Sequence, residues 1–508
     1  MSESLSRRLT KTRTSNMRTT ILQAILALAI PGIQANVLNY TTSEAGNPFV
    51  DGWYADPDTE IYNGLYWVYP TSSYDYEQQT YLDAFSSPDL VNWTKHPNIL
   101  TNASVTWANG AIWAPAAISR NGNYYLYFGA NDIQEGDNTT IGGIGVAVSD
   151  NPAGPYVDAI GHPLIGAYHN GAQPIDQDVF IDDDGQAYIY YGGHSHANVA
   201  LLNEDMISIG TFPDGTRFKE ITPTDYVEGA QMVKRDGVYY MMWSEGGWTG
   251  PDYAVSYAMA DSPLGPFNRK AKILQQDSAV ATGSGHNSVF NVPGSDVWYI
   301  VYHRRPLRDD DGNHRQLAYD RMYFEEDGSI ADITMLVKDD FADGNSIGWT
   351  TYDGDWSVVD GQFKAAASSG GKALMNTNFT SLVFDVDVTI TDGNSDGHAG
   401  VVFRVTSPGN GTDEYDGYYA GIELTGEVTL GKAANGSWTE LKSTQMDVSA
   451  NTQFHLRVSA VGSDISVFVD DMDTAKVTAA DDTYSDGQDG VRVYAAEALF
   501  DKISLATP

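Results

Sequence analysis

The chain has no cysteine in its 508 residues, which removes disulfides, thiolate nucleophiles and thiolate metal sites together. Positive charge is scarce: 29 Lys and Arg stand against 67 Asp and Glu, for a formal net charge of −38. A surface of that sign repels nucleic acid and anionic lipid and suits a neutral partner. Long apolar runs are missing too, except at residues 21–30. That run follows Arg7, Arg8, Lys11, Arg13 and Arg18 and precedes Pro31 and Ala35, the layout of a secretory signal peptide over residues 1–35 rather than of a membrane span. Met17, just ahead of its compact part, is an alternative start. Removing residues 1–35 takes away five basic residues and one acidic residue, so the charge moves from −38 to −42 (−38 − 4). Seven N-x-[ST] sequons, at Asn39, Asn92, Asn102, Asn138, Asn378, Asn410 and Asn435, fit an exported glycoprotein. The expectation is a secreted extracellular monomer with no nucleic-acid or membrane partner, held together by burial alone.

Helical periodicity is nearly absent after the leader. What is present is 31 Tyr, 11 Trp and 50 Gly, in short alternating runs broken by Gly, Asp, Asn and Pro, the pattern of an all-β protein. One unit recurs: "NGLYWVYPTS" (63–72), "NGNYYLYFGA" (121–130), "DGQAYIYYGG" (184–193), "DGVYYMMWSE" (236–245) and "PGSDVWYIVYHR" (293–304). Its turn glycines, Gly64, Gly122, Gly185, Gly237 and Gly294, are spaced 58, 63, 52 and 57 residues apart. Three further echoes, "SSPDLVNWTKHPNIL", "SDNPAGPYVDAIGHPLI" and "ADSPLGPFNRKAKIL", read as outer hairpins of the same units. Five four-stranded blades of a β-propeller account for both echoes; a β-sandwich of regular hairpins is the alternative. The repeat ends near Phe324, and from residue 339 the composition turns to Thr, Val, Ser and Asp. Residues 36–324 are therefore expected to form the propeller, 325–338 a linker, and 339–508 an antiparallel β-sandwich of jelly-roll type.

In a propeller the innermost strand of each blade meets the axis, so one side chain per blade can reach a shared pocket. Counting back eight or nine residues from each turn glycine reaches Asp56, Trp113, Asp176, Glu228 and His286. Three carboxyl groups in one pocket raise one another's pKa values, which allows one to stay protonated while another is ionised. Glycoside hydrolysis needs that pairing: one group protonates the leaving oxygen and the other activates water. Trp113 would offer an apolar wall to a sugar ring. The loops "EGGWTG" (245–250) and "GGHSHAN" (192–198) follow strands, where they would rim such a pocket. The two "DDDG" runs, at 182–185 and 309–312, fail as calcium loops of the EF-hand kind because Phe180 and Leu307 occupy the first ligand position. They read as turns, with Asp178 a strand residue of no assigned role. His194 and His196 have no evident third partner for a metal.

Residues 47 to about 330 resemble glycoside hydrolase family 43, propeller hydrolases of arabinose- and xylose-containing plant polysaccharides. The resemblance rests on "ADP" after an aromatic, "WAP" in the second blade, "ID" and "DDDG" around the third-blade strand, "EG" before "GVYYMMWSEGG" in the fourth, and "GHNSVF" in the fifth. It implies an inverting enzyme with Asp56 as general base, Glu228 as general acid, and Asp176 orienting that acid and raising its pKa. It further implies that His286 lies near the axis beside a bound calcium ion, and that Arg315, in "HRQLAYD", reaches the pocket. Substrate contacts then fall to Trp113, His286 and Arg315. The tail resembles a concanavalin-like sandwich, with "DDF", "GVVFRV", "GYYAGI" and "FDKISL" as its pieces. Together these imply an exo-acting α-L-arabinofuranosidase on arabinoxylan or arabinan. A β-xylosidase or arabinanase of the same fold, and a noncatalytic carbohydrate-binding protein, are the alternatives.

Overall fold

The structure is a computed structural model that describes residues 38–40, 46–137 and 139–508. The expected leader over residues 1–35, with Met17 and Ala35, lies outside the described residues, as does the Asn138 sequon. The described residues contain strands and turns and no helix. The described residues form one compact unit.

Each repeat is a blade. The first runs Tyr54–Tyr62, Leu65–Ser72, Tyr81–Ser87 and Thr94–Thr101, paired in that order. The second runs Trp113–Arg120, Asn123–Ala130, Gly143–Ser149 and Val157–Asp158, and the third Asp178–Ile181, Ala187–Tyr191, Asn198–Leu202 and Phe218–Glu220. The fourth runs Glu228–Arg235, Val238–Glu245, Ala254–Ala260 and Asn268–Leu274. The repeated glycines close the innermost hairpins, all with φ between +77° and +84°. Asn63, Asn121 and Asp236 precede three of them with positive φ as well, the backbone of a two-residue hairpin turn that suits the twist of its strands. The three outer echoes join the third and fourth strands of blades one, two and four.

The fifth blade has three strands, Ala281–Asn291, Trp298–Pro306 and Gln316–Met322. At its outer strand the Asn47 side chain stands in for a partner strand: Nδ2 donates to the Tyr319 carbonyl at 2.9 Å, and Oδ1 accepts the Tyr319 N–H at 3.2 Å. An apolar cluster with Phe49, Tyr54 and Tyr66 on one side and Phe290, Tyr299 and Tyr319 on the other seals blade five to blade one. Closure of this kind removes exposed sheet edges without disulfides.

The aspartate turn at 182–184 is less solvated than its sequence implies. Asp184 and Asp183 stay at the surface, but the Asp182 side chain is only 10% exposed, 2.6 Å from Lys234 Nζ of the next blade. It also accepts the Tyr239 hydroxyl at 2.6 Å. One member of the turn is thus a clip between blades three and four.

Beyond the propeller, Val337–Asp339 already pairs antiparallel with Ile503–Leu505 of the last strand. The C-terminal region is a 13-stranded hydrogen-bonded network organised on two long strands, Leu382–Thr406 and Gln488–Ala506. Their pairing slips register at four places, so each strand bends from one layer of the sandwich into the other. The sandwich core is continuous with the apolar side of blades four and five, through Tyr240, Tyr257, Trp298 and Ile300. Arg308 adds polar ties to the same junction, reaching Asn376 Oδ1 at 2.8 Å, Asn378 Oδ1 at 2.7 Å and the Thr377 carbonyl at 3.0 Å.

Candidate active site

The five axial positions coincide with a break in each innermost strand. Asp56, Ala114, Asp176, Gly229 and His286 take φ values of 47°, 41°, 52°, 68° and 44°. Around four of them the register with the second strand shifts, between Ala55/Asp58, Trp113/Ala116, Glu228/Gln231 and Gly285/Asn287. A bulge of this kind sets two residues against one on the partner strand and re-aims a side chain. The left-handed residue itself carries the functional group in blades one, three and five. In blades two and four the preceding residue, Trp113 or Glu228, does. Four of the five left-handed residues are not glycine, each at a cost of about 1–2 kcal/mol, so the packed blades hold backbone strain at this ring.

Five sequence-predicted residues meet in one pocket of about 310 Å³: Asp56, Trp113, Asp176, Glu228 and Arg315. Trp248 and His194, from the two loops expected to rim it, line it too, with Tyr76, Asp132 and Gln173. His286 does not line the pocket. Its Nδ1 lies 3.4 Å from Asp56 Oδ1 and 3.7 Å from Asp176 Oδ2, so it touches the aspartates rather than a substrate. Burial holds its pKa below the usual histidine value, outweighing the attraction of Asp56, and the contact is between a neutral imidazole and the carboxyl groups.

Asp56 is the ionised member of the set. Burial alone would raise its pKa, but Arg315 Nη1 at 3.0 Å holds it far below the normal carboxylate range. Arg315 is itself fixed: Nε donates to Ser73 Oγ at 2.9 Å, and its guanidinium lies 5.1 Å from the Trp248 ring centroid. His303, fully buried, accepts the Asp56 backbone N–H on Nδ1 at 3.1 Å. Burial brings its pKa to about 4, so it stays neutral.

Asp176 and Glu228 go the other way. Burial, reinforced by Glu228 and Asp56, pushes Asp176 well above the usual range against the pull of Arg315 and of the Gly229 N–H that it accepts. Glu228 keeps part of its surface in the pocket, yet burial raises it to about 7, with the Tyr253 hydrogen bond opposing and Asp56 adding to the rise. Together the pair retains a proton close to neutrality. Tyr253 is buried, donates to Glu228 Oε1 at 3.0 Å, and stacks on His303 at 5.6 Å. The bond from Asp176 to Gly229 ties blade three to the residue after Glu228, and so fixes the carboxyl from its own backbone.

Trp113 stands edge-on to Tyr76 at 4.9 Å between centroids. Behind it is Gly129, where a Cβ would lie 2.5 Å from the indole Nε1; any larger residue displaces the ring. Tyr253, His303, Tyr76 and Gln173 escaped the sequence reading because they lie outside the repeated axial phase, on second strands or in connecting loops. The one available signal was the "YHR" ending the fifth-blade hairpin, where a histidine closes an aromatic strand.

No group of three or more His, Asp or Glu among the described residues is arranged to hold a metal ion. Nor do His194 and His196 converge: His196 Nδ1 is bonded to Glu220 Oε1 at 3.0 Å, while His194 faces the pocket.

A propeller whose axial pocket joins one ionised carboxylate to two proton-retaining carboxyls belongs to the glycoside-hydrolase class. The family model described as glycosyl hydrolases family 43 matches residues 45–330, and the chain belongs to that family. A 3-keto-alpha-glucoside-1,2-lyase-like domain model matches residues 338–506. The chain is 48% identical to the beta-D-galactofuranosidase xynD of Aspergillus niger over 333 residues, 63% of this chain and 94% of that protein. It is 29% identical over 343 residues to the arabinoxylan arabinofuranohydrolase of Bacillus subtilis, 56% of this chain and 64% of that one. Among solved structures, an alpha-L-arabinofuranosidase from Clostridium thermocellum is 30% identical, covering 55% of this chain and 93% of that one at a TM-score of 0.46.

Proposed function

We propose that this protein is a secreted, inverting, exo-acting furanosidase that removes terminal α-L-arabinofuranose from arabinoxylan. The observation that carries the reading is the split in protonation between blades one and four: Asp56 is ionised by Arg315 while Glu228 holds its proton to about 7 in the same pocket. Glu228 gives that proton to the glycosidic oxygen as its bond to the anomeric carbon breaks. Asp56 takes a proton from the water whose oxygen bonds to that carbon from the opposite face, so the product sugar has inverted configuration. Asp176 holds the acid in place through Gly229. Arg315 keeps the base ionised, and Trp113 packs against the sugar ring. Inversion requires about 6.5–9.5 Å between acid and base to leave room for that water, and residues on nonadjacent blades suit such a gap.

A second reading, for terminal β-D-galactofuranose, is favoured by the 48% identical relative that bears that activity in its name. Both sugars are five-membered rings with matching ring stereochemistry, differing in the length of the exocyclic arm. The test is hydrolysis of the 4-nitrophenyl α-L-arabinofuranoside, β-D-galactofuranoside and β-D-xylopyranoside, with the released anomer followed by NMR. Fastest turnover of the xyloside, or a product of retained configuration, would sink the proposal; no turnover of any would leave a sugar-binding protein.

A further inference from the structure

The bulge in the first blade leaves the base with an unpaired backbone donor. Register with the second strand passes from Ala55 to Asp58, so the Asp56 N–H falls outside the ladder, and its φ is 47°. A buried donor without an acceptor costs about 1–3 kcal/mol. The acceptor comes from another blade: His303 Nδ1, on the strand Trp298–Pro306 of blade five, takes that N–H at 3.1 Å. One edge of a fully buried imidazole thus holds the left-handed conformer that aims Asp56 into the pocket.

The face of the same ring works on the acid. His303 and Tyr253 stack at 5.6 Å between centroids, with 11° between their planes, and Tyr253 donates to Glu228 Oε1 at 3.0 Å. Gly285, opposite His303 in the blade-five hairpin, confines the tyrosine from a further side, because any Cβ there would collide with the Tyr253 ring. Packing therefore aims the hydroxyl, and the hydrogen bond that it makes lowers the Glu228 pKa against burial and Asp56. One side chain of blade five thus touches the backbone of the base in blade one and the partner of the acid in blade four.

We propose that His303 is a positioning residue with two separable duties: its Nδ1 edge fixes the backbone of the base, and its ring face fixes the tyrosine that tunes the acid. The proposal rests on the assignment of Asp56 and Glu228 as base and acid. Two variants split the duties. His303→Phe keeps an aromatic face for Tyr253 and removes the acceptor, whereas His303→Asn keeps an acceptor and removes the face. Each is assayed across pH on the methyl glycoside of whichever sugar the protein releases, a leaving group that needs the proton of the acid. For His303→Phe kcat is expected to fall about 10²-fold with KM nearly unchanged, while the falling limb of kcat/KM stays in place. For His303→Asn the limb is expected to move to higher pH, by up to about one unit, with a smaller loss of kcat. Adding Tyr253→Phe to His303→Asn should then move the limb no further, since both act through one hydroxyl. Equal losses of kcat with an unmoved limb in both variants, as a merely structural role gives, or limb shifts that add in the double variant, overturn the proposal. A poorly folding His303→Phe leaves the limb shifts to decide. Asp56→Asn and Glu228→Gln variants that kept their turnover would refute the assignment of base and acid itself, whereas inactive ones beside unaltered His303 variants refute this proposal alone.

Discussion

Two rings of buried side chains, two residues apart in blades one and three, do different work in this propeller. The upper ring contains Asp56 and Asp176, and the lower ring Asp58 and Asp178; all four are at least nine-tenths buried. The upper pair contacts side chains: Asp56 meets Arg315, His286 and His303, and Asp176 faces Glu228 and His286. The lower pair reaches across to the backbone of the next blade. Asp58 Oδ2 accepts the Ala117 N–H at 2.6 Å, and Asp178 Oδ2 accepts the Met232 N–H at 2.7 Å. Burial and Asp178 raise the pKa of Asp58, and burial raises Asp178 to about 7. A buried acid that a neighbouring backbone N–H satisfies is a stitch between blades. One that faces a guanidinium and a pocket is a reagent.

The sharpest way to break this comparison is to neutralise one member of each ring. Asp56→Asn and Glu228→Gln are each expected to lower kcat by about 10³–10⁴-fold with no change in melting temperature, measured on an aryl furanoside and by thermal unfolding. A variant that kept its turnover would erase the distinction. Asp178→Ala and Asp58→Ala should do the reverse, losing about 1–3 kcal/mol of stability in urea titrations while kcat at 25 °C stays within a few-fold. Asp178→Asn keeps the acceptor and should recover most of that loss.

The pH profile sharpens the upper ring. Glu228 acts while protonated and has its pKa near 7, so kcat/KM is expected to fall as pH rises through about 7. Asp56, held far below the usual range, stays ionised throughout. Tyr253→Phe deletes a hydrogen bond that lowers the Glu228 pKa, so the falling limb should move to higher pH, by up to about one unit; a shift downward would contradict the assignment of the acid. The smallest effect belongs to the aspartate turn. Asp182→Ala breaks the clip to Lys234 and Tyr239 and lowers the melting temperature, whereas Asp183→Ala, at an 85% exposed side chain, leaves it unchanged.

Much of this architecture was legible in the residues. Turn glycines and aromatic strands repeat at one period because every blade must make the same hairpin, and the axial phase followed from counting back from the turn. In blades two and four the functional side chain belongs to the residue before the left-handed one, because a bulge lets either of two neighbouring residues face the pocket, something that a strand of strict alternation does not allow. Asp178 was readable only as a strand residue, since the N–H it accepts belongs to Met232, more than fifty positions away. Tyr253 and His303 were silent for the same reason: neither repeats from blade to blade, and each matters only through what the closed ring places beside it.

By itself, then, the sequence determined the strand and turn grammar, the fivefold repeat, the place where the repeat stops, and the candidate acids. Those features are local and periodic, set by side-chain alternation and by turns that need left-handed backbone. Only the tertiary structure decided which acid is ionised and which keeps its proton. That depends on Arg315 reaching Asp56 across 259 positions, and on burial that exists only once five blades close around an axis.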